Sequence, residues 1–208
     1  MQILFQEQHL IAIIKMQETR YRFNLEGVTK EELVGYMLYK MKEILGRIPV
    51  DVHQVYNVQE IHTIADWLLN GKKQSLLIMG RTGSGKTILA EVLYWTLKVK
   101  CPTPNLHSMD WVRKMLKINQ ELPECCGEDR MLILDDVGSE PAEEMIYGSR
   151  TQIFNEILYS RYRRRQPMII TTNLTWENFR DKYGDRIESR MSEMFDTLIV
   201  DGKDLRKE

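Results

Sequence analysis

Cysteine is scarce in this chain and poorly spaced for structural use. Cys101, Cys125 and Cys126 form an odd set with two adjacent members, a pattern that suits neither a disulfide framework nor a C-x-x-C zinc knuckle. A reducing compartment, the cytosol, is the expected location. Long apolar runs are missing as well: none approaches the ~18 residues that a membrane span requires, so no membrane contact is expected. The opening Met1 to Lys15 has no basic n-region and is interrupted by Gln, Glu and His, which makes it a poor secretory signal. There is no excess of charge of either sign. A formal net charge of −1 offers no global attraction to nucleic acid or to an anionic membrane, so any polyanion surface must be local. Internal repeats and low-complexity tracts are also absent. What remains is an ordinary globular composition in 208 residues, enough for one substantial core and a small appendage.

Against these absences stands one complete motif. Gly80-Arg81-Thr82-Gly83-Ser84-Gly85-Lys86-Thr87 satisfies every position of the G-x-x-x-x-G-K-[ST] phosphate-binding loop. The apolar run Ser75 to Met79 before it reads as a strand, and Ile88 to Leu97 after it repeats its apolar residues at helical spacing. Glycines permit a tight turn whose backbone N–H groups converge on phosphate oxygens at a helix N-terminus. Gly80, Thr82, Gly83, Ser84, Gly85, Lys86, Thr87 and Ile88 are therefore the candidate contacts for a nucleoside triphosphate. Lys86 supplies charge to the β- and γ-phosphates, and the Thr87 hydroxyl is a ligand for Mg²⁺.

The remainder alternates strand and helix, which predicts an α/β fold with a parallel sheet covered by helices on both faces. The expected strands are Ser75 to Met79, Leu106 to Ser108, Met131 to Leu134, Met168 to Thr172 and Leu198 to Val200. A helix is expected over Asp110 to about Gln120, a long helix between the third and fourth strands, and two short helices before the last strand. Residues 1–49 read as a helical N-terminal segment available for partner binding, and residues 50–208 as the nucleotide domain. Within the segment, Thr29 is a cap candidate for a helix that lines up Leu33, Met37, Met41 and Ile44. A second helix runs over Val58 to Leu69.

Further residues complete a hydrolytic site. Four apolar residues deliver Asp135-Asp136 to the carboxyl end of a buried strand, where ligands of open α/β sheets collect. Asp135 would hold Mg²⁺, and Asp136 stands where a longer Glu usually polarises the attacking water, which predicts slow turnover. Asn173, after Thr171-Thr172, would sense the γ-phosphate if its strand lay between those of the phosphate loop and of Asp135. Arg186 and Arg190 are four apart on a helix and share a face. The run Arg161-Tyr162-Arg163-Arg164-Arg165 carries more cations than a helix C-terminus needs and is a candidate for single-stranded DNA or partner contact.

The motifs GRTGSGKT, LILDDVG, PMIITTNL and GDRIESRM, in that order, resemble those of AAA+ ATPases of the bacterial helicase-loader type (DnaC-like), with the IstB-like transposition ATPases as relatives. The resemblance covers roughly residues 50–206. It implies a P-loop fold with a five-stranded parallel sheet and no C-terminal lid domain, ATP or ADP with Mg²⁺ as ligands, and slow, partner-stimulated hydrolysis. It implies an ATP-dependent homo-oligomer in which Arg190 acts as a finger on a neighbour's nucleotide and Arg186 supports it. It also implies adenine contacts at Tyr56 and Asn57, a late cis-acting Arg206, and a replicative helicase as partner. Two alternatives share these residues: an IstB-like regulator of a transposase, and an ATP-gated scaffold with negligible turnover.

Overall fold

A computed structural model describes residues 25, 27–47, 58–100, 104–127, 130–146 and 148–201. The first described helix, α1 (Lys30–Leu45), begins at the predicted Thr29 cap. The Thr29 hydroxyl accepts from the Glu32 backbone N–H at 3.2 Å, and the Glu32 carboxylate accepts from the Thr29 N–H at 2.9 Å. This reciprocal pair satisfies two donors that the first turn leaves without helical partners. Leu33, Met37, Met41 and Ile44 all lie buried along it. Helix α2 (Val58–Asn70) follows and delivers the chain through Gly71 into β1 (Ser75–Gly80).

Beyond β1 come α3 (Lys86–Lys100), β2 (Asn105–Ser108), α4 (Met109–Asn119) and, after a 3₁₀ turn, β3 (Leu132–Val137). A two-stranded antiparallel hairpin, β4 (Glu144–Ile146) with β5 (Ser149–Thr151), separates β3 from α5 (Ile153–Arg164). The chain then runs through β6 (Met168–Thr172), α6 (Trp176–Tyr183), α7 (Asp185–Met194) and β7 (Phe195–Val200). The five principal strands are all parallel and ordered β2-β3-β6-β1-β7. As expected, the strand preceding Asn173 lies between those of the phosphate loop and of Asp135.

Alternate residues of each central strand enter different cores. Leu76, Ile78, Ile133 and Ile169 pack with α1, α2 and α3, whereas Leu77, Met79, Leu132, Leu134, Met168 and Ile170 pack with α4 to α7. Burial on both faces explains why these strands read as continuous apolar runs rather than alternating ones. It also places Met37 and Met41 in the same core as Leu89 and Leu93 of α3, so the described part of the N-terminal segment packs directly on the phosphate-loop helix.

Two expectations need correction. The long helix anticipated after β3 is a 12-residue helix preceded by the hairpin. Glu144 anchors that hairpin by accepting from Arg113 and, at 3.0 Å, from Lys117, both on α4. Such long-range pairing is invisible to local periodicity. The final strand starts at Phe195 rather than Leu198. Polar Asp196 and Thr197 interrupt its apolar pattern, but the Asp196 carboxylate accepts from the Lys73 backbone N–H at 3.0 Å and is thereby accommodated.

Candidate nucleotide site

The phosphate loop leaves the carboxyl end of β1 in a conformation only its glycines tolerate. Gly83 and Gly85 have φ values of 84° and 91°, in the left-handed region where a Cβ is strained. Gly80 is constrained differently: an added Cβ would meet the Val200 carbonyl oxygen at 2.4 Å and the Ser84 hydroxyl at 2.9 Å. A side chain there would push β1 away from β7. Helix α3 starts at Lys86 directly after this turn, so its N-terminal N–H groups and partial positive charge face the loop.

Lys86 is 6% exposed, and its three ammonium hydrogens are engaged within the chain. It donates to the carbonyl oxygens of Gly80 at 2.9 Å and Arg81 at 2.8 Å, and to Asn173 Oδ1 at 2.6 Å. Asn173 Nδ2 in turn donates to Asp136 Oδ1 at 2.8 Å. One polar chain therefore connects the phosphate loop, β6 and the end of β3. A second runs beside it: Thr87 Oγ1 donates toward Asp135, lying 3.0 Å from Oδ2, and Thr171 Oγ1 donates to Asp135 Oδ1 at 2.6 Å. The same Thr171 oxygen accepts from the Asp136 backbone N–H at 2.9 Å. The two chains meet at Asp136 and close a ring.

Asp136 itself has φ 60°, a left-handed conformation that Asp adopts more readily than most residues. The β3–β6 register shifts between Leu134 and Val137, so neither aspartate pairs with β6 in the regular ladder, although Asp135 still pairs with Ser108 of β2. Thr171 was legible in the sequence only as a strand residue. Its hydroxyl nevertheless bonds to both aspartates, donating to Asp135 and accepting from the Asp136 N–H. The loop beyond is also held by side chains that carry no motif. Buried Glu140 accepts from the Gly138 N–H at 2.8 Å and from the Tyr183 hydroxyl, while Lys182 donates to the carbonyls of Gly138 and Glu140. Burial, followed by the Glu140 charge beside it, pushes the Tyr183 phenol well above its ordinary range.

The predicted residues of the phosphate loop thus come together with Asp135, Asp136 and Asn173. Arg186 and Arg190 do not join them: among the described residues neither bonds to any member of the phosphate loop. Arg186 is exposed on α7. Arg190 donates to the Arg186 carbonyl at 3.0 Å and lies over the rings of Tyr159 and Tyr162, at 4.5 and 5.3 Å from their centroids. The expected adenine contacts Tyr56 and Asn57, and Arg206, lie outside the described residues.

The Arg161–Arg165 run is not a uniform patch. Arg161 is fully buried and donates to the carbonyls of Cys126 at 3.2 Å, Arg130, and Pro167 at 2.7 Å. Arg164 donates to the Gly127 carbonyl at 2.7 Å. Arg163 and Arg165 are exposed.

A five-stranded parallel sheet of this order, with the phosphate loop after β1 and the paired carboxylates at the end of β3, two strands away, is the fold of solved P-loop AAA+ structures. Its similarity to solved structures is extensive. The crystal structure of the DnaC helicase loader superposes with a TM-score of 0.57 at 22% identity, covering 73% of this chain and 92% of that one. DnaI gives 0.54 at 22% identity, covering 79% and 93%. DnaA from Aquifex aeolicus, bound to AMPPCP, gives 0.50 at 20% identity, covering 70% and 46%. No protein-family model matches the chain, and no curated protein matches it. No described helix is long and apolar enough to cross a membrane.

Proposed function

We propose that the chain is an ATP-switched AAA+ ATPase that loads a replicative DNA helicase. The observation that carries the reading is the closed polar ring: Lys86 to Asn173 to Asp136, and Thr87 through Asp135 and Thr171 back to Asp136. It links the group that would bind phosphate to the group that would activate water, so occupancy at one end is felt at the other. The donor set fits a hard divalent cation, since Thr87 and Asp135 offer only oxygens and two of these lie 3.0 Å apart. Bound there, Mg²⁺ would neutralise charge on the phosphates.

In this reading the backbone N–H groups of residues 82 to 88 cradle the triphosphate, and Lys86 exchanges its neutral carbonyl partners for charged phosphate oxygens, which are stronger acceptors. Asn173, freed from Lys86, orients toward the γ-phosphate. Asp136 accepts the proton of the attacking water. Arg190 of a second copy leaves its tyrosine pair and places its forked charge on the phosphoryl group being transferred, with Arg186 beside it. Each of these contacts exists only with ATP present, so oligomerisation and the grip on helicase and single-stranded DNA follow the nucleotide state.

Two substitutions test the scheme together. Lys86→Ala should abolish Mg-ATP binding measured by calorimetry. Asp136→Asn retains size, left-handed tolerance and the acceptor for Asn173, so it should keep ATP affinity while turnover falls by a factor of about 10² to 10⁴. Normal hydrolysis by Asp136→Asn would remove that residue from the mechanism. Pull-downs in ATP and in ADP then identify the partner: recovery of a helicase only in ATP supports loading, and recovery of a transposase overturns it.

A further inference from the structure

The amino ends of the strands hold a second concentration of charge, separate from the phosphate loop. A cleft of about 500 Å³ opens there, bounded by Lys72 and Lys73 ahead of β1, by Tyr162, Arg163 and Arg165 at the close of α5, and by Glu193 on α7. Strand β1 lies between this cleft and the phosphate loop, and its six residues span about 17 Å. Four cations face one carboxylate, and that carboxylate is engaged, accepting from the Tyr162 hydroxyl at 2.8 Å. Lys73 is likewise committed, donating to the carbonyls of Ser192 and Phe195 at the end of α7.

The other three cations differ. Among the described residues, Lys72, Arg163 and Arg165 have no side-chain hydrogen bond or ion pair. Their neighbours in the same run are turned to structural work, Arg161 into the core and Arg164 onto Gly127. Arg165 closes α5 in the left-handed conformation, φ 53°, so the chain turns sharply into β6 and leaves Arg163 and Arg165 on one rim. Like charges gathered around one open cleft repel one another, and an anion lowers that energy. Guanidinium forks match the geometry of phosphate oxygens in particular. The volume lies within the range of small-ligand sites, about right for one nucleotide unit.

We propose that this cleft is a second phosphate-ester site, distinct from the phosphate loop, in which Arg163 and Arg165 fork the phosphate oxygens and Lys72 adds a third charge. The phosphate ester comes either from a free mononucleotide or from the backbone of a single strand, and both present the same chemistry.

The test uses the full chain carrying Lys86→Ala, so that the outcome is independent of the phosphate loop and of the ATPase reading. Fluorescein-labelled dT20 is titrated by anisotropy between 50 and 200 mM salt, and AMP by calorimetry. The parent should bind at least one probe. Arg163→Ala with Arg165→Ala should weaken that binding at least tenfold, with an unchanged thermal midpoint because both residues are exposed. For dT20 the slope of log affinity against log salt should flatten by about 1.4, two contacts at ~0.7 each. Lys72→Ala should give a smaller loss in the same direction. Loss of dT20 binding with no AMP heat identifies the polynucleotide source, and loss of AMP binding the mononucleotide. Affinities unchanged by the double substitution, or a parent that binds neither probe at low salt, would overturn the proposal.

Discussion

At the carboxyl ends of β1, β3 and β6, Lys86, Asn173, Asp136, Asp135 and Thr171 satisfy one another over 2.6 to 2.9 Å. At the amino ends of the same sheet, Lys72, Arg163 and Arg165 find no such partners among the described residues. The first arrangement is preorganised: its polar groups are already oriented, and a ligand enters only by exchanging contacts. The second adds a ligand without displacing anything, at the cost of mutual repulsion while empty. One sheet thus presents a rim suited to a conformational response and a rim suited to simple attraction. Residues of a single run, Arg161 to Arg165, fall on both sides of this distinction, so composition alone does not decide which kind of site a cluster of cations makes.

The largest effect is expected where the amino-end rim departs from its own pattern. Arg161 is the buried cation of the Arg161–Arg165 run, holding three backbone carbonyls from separate segments. Arg161→Met should lower stability by about 3 kcal/mol or more, because each buried acceptor left unpaired costs about 1 to 3 kcal/mol. Arg163→Ala should stay within about 0.5 kcal/mol of the parent. Urea unfolding of the two variants measures the contrast, and equal midpoints would erase it.

A smaller effect is expected at the other rim. Thr171→Val keeps the shape of the side chain but removes the hydroxyl shared by Asp135 and Asp136. It should cost about 1 to 2 kcal/mol and weaken Mg²⁺-dependent nucleotide binding, leaving binding in EDTA little changed. Thr171→Ser should restore the magnesium dependence. A valine variant with a normal magnesium response would show that the ring is structural decoration rather than a link between loop and carboxylates.

The smallest effect concerns a charge outside both rims. Burial works against the ionised Glu144 carboxyl, but hydrogen bonds from Arg113 and Lys117 outweigh it and hold the group below its ordinary value near 4.5. A depressed folded value means that its contribution to stability is full above that pH and is lost as pH falls through the folded value. Glu144→Gln should therefore flatten the acid limb of stability below about pH 4.5, read by thermal melts from pH 6 to pH 3. An unchanged limb would show that the hairpin is held by its backbone alone.

Much of the upper rim was legible beforehand because its parts are contiguous. A phosphate loop needs its glycines, lysine and hydroxyl within eight residues, and a buried strand ending in two carboxylates announces itself by four apolar residues. The Asn173 position followed once the strand order was granted, and the structure has that order. Thr171 was hidden because a threonine is an ordinary strand residue, and only the approach of β3 shows its hydroxyl between two aspartates. The hairpin was hidden because Glu144, Ser149 and Arg150 fell in a stretch expected to be part of one long helix, and only α4 supplies the charges opposite Glu144. Glu140, Tyr183 and Lys182 join segments some forty residues apart, beyond the reach of any local pattern.

By itself the amino-acid sequence determined the phosphate loop, the apolar strands and the α/β alternation, since each depends on backbone conformation or burial periodicity over a handful of neighbouring residues. Tertiary structure alone decided which threonine bridges the carboxylates, which arginine of a basic run disappears into the core, and where unpaired cations gather. Those outcomes depend on carbonyls and charges contributed by distant segments, and distance along the chain carries no record of them until the sheet has formed.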